Sequence, residues 1–259
     1  MLSSLLEGSI EDALRRSESV SLEEIRLLAE AQTPALPVYQ LLEPSEQIKI
    51  IAEIKRASPS RGDIATISDP VALAKDYERG GASAISVLTE ERKFKGSLDD
   101  LKRVKASVNI PVLRKDFIGI PYQVYEARAA GADLILLIIA CLDDAMLKEL
   151  YELAHSLGMG VLVEAHDEEE IRRATVLGAK LVGINVRNLK TFEMDRSLYP
   201  KLADLLPEAA IKVAESGVLT AEDLAEYRRS GADLALIGEG LVTGNDPAAT
   251  LQEFLKVSR

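Results

Sequence analysis

From residue 48 to residue 256 the chain repeats one unit: a short apolar strand, an amphipathic helix, and a glycine stop before the next strand. Strands are expected near 48–55, 82–88, 110–117, 133–140, 159–165, 180–187, 211–216 and 233–238. The expected helices between them include 70–79, 98–106, 122–130, 144–157, 167–177, 197–206 and 221–229, and a last one over 247–256 closes the series. Gly80-Gly81-Ala82, Gly131-Ala132-Asp133, Gly178-Ala179 and Gly231-Ala232-Asp233 each place a glycine where a helix must stop. Ser97…Asp100 and Thr220…Asp223 have the spacing of capping boxes. Eight such units at a spacing of roughly 25–30 residues fit an α/β fold, a single (β/α)8 barrel. The competing arrangement, an open doubly wound sheet, calls for a G-x-G-x-x-G turn after the first strand, and the sequence has none there.

Residues 1–47 form a helical extension in this reading, packed on a barrel of residues 48–259. Ser21 to Glu24 is a capping box opening a helix through about Ala31; Pro34 and Pro37 end it, and 38–42 is a short apolar piece. The role expected for the extension is to cover apolar surface at one barrel end.

Bulk properties narrow the partners. With 31 basic and 42 acidic residues the net charge is −11, which repels nucleic acid and anionic membranes. No stretch approaches the ~20 apolar residues of a membrane span; the longest apolar run, 134–142, is followed by Asp143-Asp144. The N-terminus carries acids where a secretory leader carries basic residues, and Cys141 has no partner for a disulfide, so a cytoplasmic address is expected. The eighth unit ends the sequence, so no fused second enzyme is expected.

In such barrels the active site lies at the C-terminal strand ends. Period-2 alternation turns Glu53 and Lys55 inward on the first strand. On the third it turns Leu113, Lys115 and Phe117 one way and Arg114 and Asp116 the other. Glu164, the pair Asn185 and Arg187, and Glu215 follow on the fifth, sixth and seventh strands. Any one of these could serve in a structural ion pair. Seven on five strands offer neighbouring acids and bases whose charges sustain one another. His166 shares the face of Glu164, one position further up, and is expected in a supporting or solvent-facing role. Two histidines are few for zinc, and the acids are interleaved with lysines, so neither metal nor cofactor is expected.

Ser216-Gly217 and Gly238-Glu239-Gly240 follow the seventh and eighth strands, where barrels commonly bind phosphate through backbone N–H groups. Pro59, Phe94, Leu113, Phe117, Leu136, Ile138 and Phe192 gather apolar surface at the same end. Phe94 and Phe192 lie in polar loops, which suits a flat apolar ligand part. The loop 56–62 is expected to close over a ligand. The residues therefore describe a barrel enzyme for a phosphorylated compound with an aromatic or apolar part, using Lys and Glu acid–base chemistry. Two other readings stand beside it: a phosphosugar isomerase, or an aldolase with a Schiff base on Lys115 or Lys55; and a catalytically silent barrel used as a subunit or ligand sensor.

The segments IIAEIKRASPSRG, FKGSLDDL, PVLRKDF, VLVEAH, GINVRNL, VAESGV and LIGEGLV, in this order over residues 48–245, closely resemble the indole-3-glycerol phosphate synthases of tryptophan biosynthesis. The resemblance implies a carboxy-lyase that closes the ring of 1-(2-carboxyphenylamino)-1-deoxyribulose 5-phosphate with loss of CO2 and water, without cofactor or metal, acting as a monomer. It implies Lys115 as general acid at the ketone oxygen. Lys55 would hold the substrate carboxylate or phosphate and serve as acid for dehydration. Glu164 would be the base or cation-stabilising carboxylate. Glu53 and Glu215 would orient the lysines, and Asn185 and Arg187 would position the closing ring. Ser58, Ser216, Gly217, Gly238 and the Glu239 amide would bind phosphate. The seven apolar residues would pack the anthranilate ring. Many relatives have Ser where Gly240 stands, which removes one hydroxyl contact to phosphate.

Overall fold

A computed structural model describes residues 2–59, 62–64, 67–188, 191, 193–242 and 246–257. Eight parallel strands close into a barrel in sequence order: β1 (Lys49–Ile54), β2 (Ala84–Leu88), β3 (Val112–Lys115), β4 (Leu134–Ile138), β5 (Gly160–Ala165), β6 (Leu181–Asn185), β7 (Ile211–Glu215) and β8 (Leu234–Ile237). Ile51 pairs with both Ala84 and Leu236, which joins β1 to β2 on one side and to β8 on the other.

Alternation sorts the strand residues into two cores. Ile51, Leu113, Leu134, Leu136, Leu162, Leu181, Val213 and Leu234 fill the barrel interior. Ile50, Ala52, Ile85, Val112, Ile135, Val161, Val182 and Ala235 form the layer under the helices. Burial on both faces is what parallel strands require, and it explains why the strands read as nearly continuous apolar runs.

The helices are α1 (Leu2–Ser17), α2 (Leu22–Glu30), α3 (Val38–Leu41), α4 (Pro70–Gly80), α5 (Leu98–Lys105), α6 (Pro121–Ala129), α7 (Asp144–Ser156), α8 (Glu168–Leu177), α9 (Leu198–Ala203), α10 (Ala221–Arg229), α11 (Glu239–Val242) and α12 (Pro247–Val257). Side-chain caps open most of them, among them Asp69, Ser97, Asp143, Asp167 and Thr220. Gly81, Gly131, Gly178 and Gly231 all take the left-handed conformation that stops a helix. Asp133 and Asp233, after two of these glycines, each accept a backbone N–H near the start of a neighbouring strand, from Val112 and Lys212 respectively. Helix α9 is shorter than expected: its last residues close as tight turns, Leu205 N–H to Leu202 O and Leu206 N–H to Ala203 O, ahead of Pro207.

The extension reaches both barrel ends. Val38 and Leu42 close the N-terminal end, where Gly160 lets Val38 approach: a Cβ at Gly160 would stand 3.0 Å from it. Tyr39 accepts the Val161 N–H and lies 2.9 Å from His155 Nε2. Helix α1 crosses the opposite, C-terminal mouth, where Leu2 and Leu5 line the main cavity. This corrects the expectation of a cover at one end only. The corrected placement has a polar cause. Ser9 donates to Asp116 (2.7 Å), Arg16 pairs with Glu126 (2.6 Å), and Arg92 holds Asp12.

Candidate active site

Two adjoining cavities open at the C-terminal mouth. The first encloses about 870 Å³ of non-atom space and has an apolar wall of Leu2, Leu5, Pro59, Ile64, Phe94, Phe117, Leu136 and Ile138. The second, of about 550 Å³, is walled by Ser216, Gly217, Val218, Leu219, Gly238 and Glu239. Glu53, Lys55, Lys115, Asn185 and Arg187 border both, so a charged row separates an apolar chamber from a polar one.

The row is tightly paired. Lys55 Nζ lies 2.5 Å from Glu53 Oε1. Lys115 Nζ lies 3.7 Å from Glu164 Oε2 and 3.8 Å from Glu215 Oε2. Burial opposes the charge on Lys115, but Glu164, Glu215 and Glu53 outweigh it and hold the ammonium above its usual range. Burial pushes Glu53 upward, yet Lys55 and Lys115 win and its carboxyl is held low. The two carboxylates on Lys115 diverge. Glu164 overcomes burial through Lys115 and His166 and is held well below the usual range. Burial, and then the nearness of Glu164, push Glu215 well above 4.5. The two carboxyls are thus pushed in opposite directions, an arrangement that separates base from acid.

Among the described residues, Glu53 Oε1, Glu164 Oε2, His166 Nε2 and Glu215 Oε1 are buried polar atoms without a well-aligned hydrogen bond, and all four belong to this cluster. Three of them nonetheless face a charged partner, Glu53 Oε1 at Lys55, Glu164 Oε2 at Lys115 and His166 Nε2 at Glu164, so ion pairs hold the cluster together. Asn185 Oδ1 accepts from Ser216 Oγ and from the Arg187 N–H, which leaves its NH2 as the donor for a ligand. Ser216 has φ 73° and Gly217 φ 79°, so the chain leaves β7 through two left-handed residues; Tyr227 donates to Ser216 O. Strained backbone of this kind gathers at functional sites. A Cβ at Gly240 would stand 2.7 Å from Val218 O, which explains glycine rather than serine at that position.

Lys55, Glu53, Lys115, Glu164, Asn185, Arg187, Glu215, Ser58, Pro59, Phe94, Phe117, Leu136, Ile138, Ser216, Gly217, Gly238 and Glu239 thus meet around the two cavities. Leu113 is the correction: it is fully buried in the interior core, two residues below Lys115, and lines neither cavity. Phe192 lies outside the described residues, as do Ser60 and Arg61 of the loop after β1. The flanks of that loop pair as a short hairpin, Ala57–Ser58 with Gly62–Asp63; Asp63 meets Lys95 and Arg56 meets Asp100, each at 2.5 Å. Sequence reasoning missed Leu2, Leu5, Ile64 and the buried Glu90. The Glu90 carboxylate accepts three N–H groups, of Arg92, Lys93 and Phe94, and so shapes the loop that presents Phe94. The only sequence signal for Glu90 is a carboxylate two residues after a buried strand.

A barrel with lysines and glutamates on its inner strand ends, set between an apolar and a glycine-walled chamber, defines an enzyme of the acid–base class. Similarity to known proteins narrows the class. The family described as Indole-3-glycerol phosphate synthase matches residues 2–254, and the chain belongs to that family. It is 57% identical over 254 residues to "Indole-3-glycerol phosphate synthase" of Leifsonia xyli subsp. xyli (strain CTCB07), covering 98% of this chain and 97% of that one. It is 52% identical over 256 residues to the protein of the same description from Mycolicibacterium smegmatis, covering 98% and 93%. Among solved structures, a 3-hexulose-6-phosphate synthase superposes with a TM-score of 0.66 at 20% identity, covering 82% of this chain and all of that one. A thiamine phosphate pyrophosphorylase from Pyrococcus furiosus gives 0.63 at 15%. At these identities the two structures attest the barrel fold alone. No helix among the described residues is long and apolar enough to cross a membrane.

Proposed function

We propose that the chain closes the indole ring of 1-(2-carboxyphenylamino)-1-deoxyribulose 5-phosphate, releasing CO2 and water to give indole-3-glycerol phosphate in tryptophan biosynthesis. The carrying observation is the charged row between two unlike chambers, because this substrate joins an aromatic acid to a phosphorylated sugar chain. The ring enters the apolar chamber against Pro59, Phe94, Phe117, Leu136 and Ile138. The phosphate enters the polar chamber at Ser216, Gly217, Gly238 and the Glu239 amide, with Ser58 reaching it from the lining of the neighbouring chamber. Asn185 and Arg187 position the carbon chain between them.

As the aromatic carbon attacks the ketone carbon, Lys115 gives a proton to the ketone oxygen, where negative charge develops. CO2 then leaves, and its bonding electrons restore the aromatic ring. The new hydroxyl departs as water with a proton from Lys55, driven by the ring nitrogen, which becomes iminium. Glu164 stabilises that cation and takes the proton whose loss completes the indole. Glu53 and Glu215 hold the lysines and contact substrate hydroxyls. The proposed reading also takes the protein to be a cytoplasmic monomer.

Borohydride treatment with a keto-sugar phosphate separates this reading from an aldolase: no covalent adduct is expected. A trapped adduct on Lys115 or Lys55 would replace it with Schiff-base chemistry.

A further inference from the structure

Lys115 alone does not distinguish its two carboxylates, which it meets at 3.7 and 3.8 Å. The difference between them comes from a third group. His166 Nε2 lies 3.2 Å from Glu164 Oε1, and its Nδ1 lies 3.0 Å from Glu170 Oε2. No such cation accompanies Glu215 among the described residues. We infer that His166 is a positioning residue which sorts the roles of two otherwise equivalent carboxylates, holding Glu164 ionised as the base and leaving the proton of the pair on Glu215.

Local sequence builds the device. Asp167 caps α8 by accepting the Glu170 N–H, which turns Glu170 back to accept both the His166 N–H (2.7 Å) and the ring Nδ1. Both ring nitrogens therefore face carboxylates, a setting that favours imidazolium. Burial disfavours that charge, yet Glu164 and Glu170 raise the ring to about 10, so it stays charged through the neutral range. Glu215 on β7 also feels its charge, and Cys141 after β4 and Lys115 on β3 face its partner Glu164. Asp167, Arg187, Glu193 and Asp195 line the adjoining outer cavity.

The role sharpens during the reaction proposed above, on which this inference rests. Once Lys115 has given its proton to the ketone oxygen it is neutral. His166 is then the cation still touching Glu164, and it keeps that carboxylate ionised until the last proton is removed to complete the indole.

The test is the pH profile of kcat for the intact enzyme and for His166→Gln, followed by indole emission. The acidic limb is expected to move up by about one pH unit, with KM changing little. Superimposable profiles, or a loss confined to KM, would overturn the inference. Nitrogen-15 NMR of the unaltered protein, whose only histidines are His155 and His166, gives a reading that needs neither the variant nor turnover. An imidazolium at position 166 at pH 8 supports the inference, and a neutral ring there defeats it. Absence of turnover in the unaltered protein, with the imidazolium present, would instead count against the proposed reaction.

Discussion

A Cβ at Gly183 would collide with Glu215 Oε1, so β6 leaves its inner face bare where β7 sends a carboxylate across the barrel. Gly238 does the same for Glu53, whose Oε1 would lie 2.7 Å from a Cβ. Each makes room for a carboxyl group. Gly183→Ala is therefore expected to displace Glu215 and lower kcat by up to about 100-fold, since sub-ångström placement governs such steps. Circular dichroism should show the fold kept, and an unchanged kcat would count against the packing argument. At this scale the sequence was most legible where alternation applies: Glu53, Lys55, Lys115, Glu164 and Glu215 follow from a period of two. It was least legible where a residue acts through space. Gly183 reads as an ordinary strand glycine, and Leu113 shares the face of Lys115 but sits below the ligand layer.

Between elements, the strongest polar coupling joins α1 to β3 and α6. Arg114 is fully buried on the outer face of β3, with Nη2 3.0 Å from both Asp116 and Glu126. Asp116 also accepts from Ser9 and Thr89, and Glu126 from Arg16. The residue after Lys115 thus fastens the helix that carries Leu2 and Leu5 over the site. Removing one partner leaves buried charges uncompensated, so Arg114→Ala is expected to lower unfolding stability by about 3–5 kcal/mol in urea titration. A loss under ~1 kcal/mol would mean that the network contributes no more than a surface pair. The strands and most helices of the barrel were legible because burial on two faces and capping leave strong local signals. The course of α1 was not, because its buried face mixes Leu5, Gly8, Ser9, Asp12 and Ala13 and offers no apolar stripe.

For the molecule as a whole, the site is held at a cost in stability that pH reveals. The Glu215 carboxyl is raised above 4.5 in the folded chain, so the folded state keeps a proton that the unfolded chain gives up. Its contribution is fully present below pH 4.5 and is lost as pH rises through the folded value. Glu215→Gln removes that loss. Its melting temperature should exceed that of the unaltered protein at neutral pH by a few degrees, the shift that ~1 kcal/mol brings at this size, while the two converge below pH 4.5. Equal melting temperatures at pH 7 would contradict the upward push on the Glu215 carboxyl. The most direct test of the central claim uses the absence of tryptophan, which leaves indole emission against a tyrosine background. Mixed with 1-(2-carboxyphenylamino)-1-deoxyribulose 5-phosphate, the protein should give a growing indole signal, and Lys115→Met should abolish it while ligand binding persists. A flat trace from the unaltered protein with binding intact, or an undiminished rate in Lys115→Met, would contradict it.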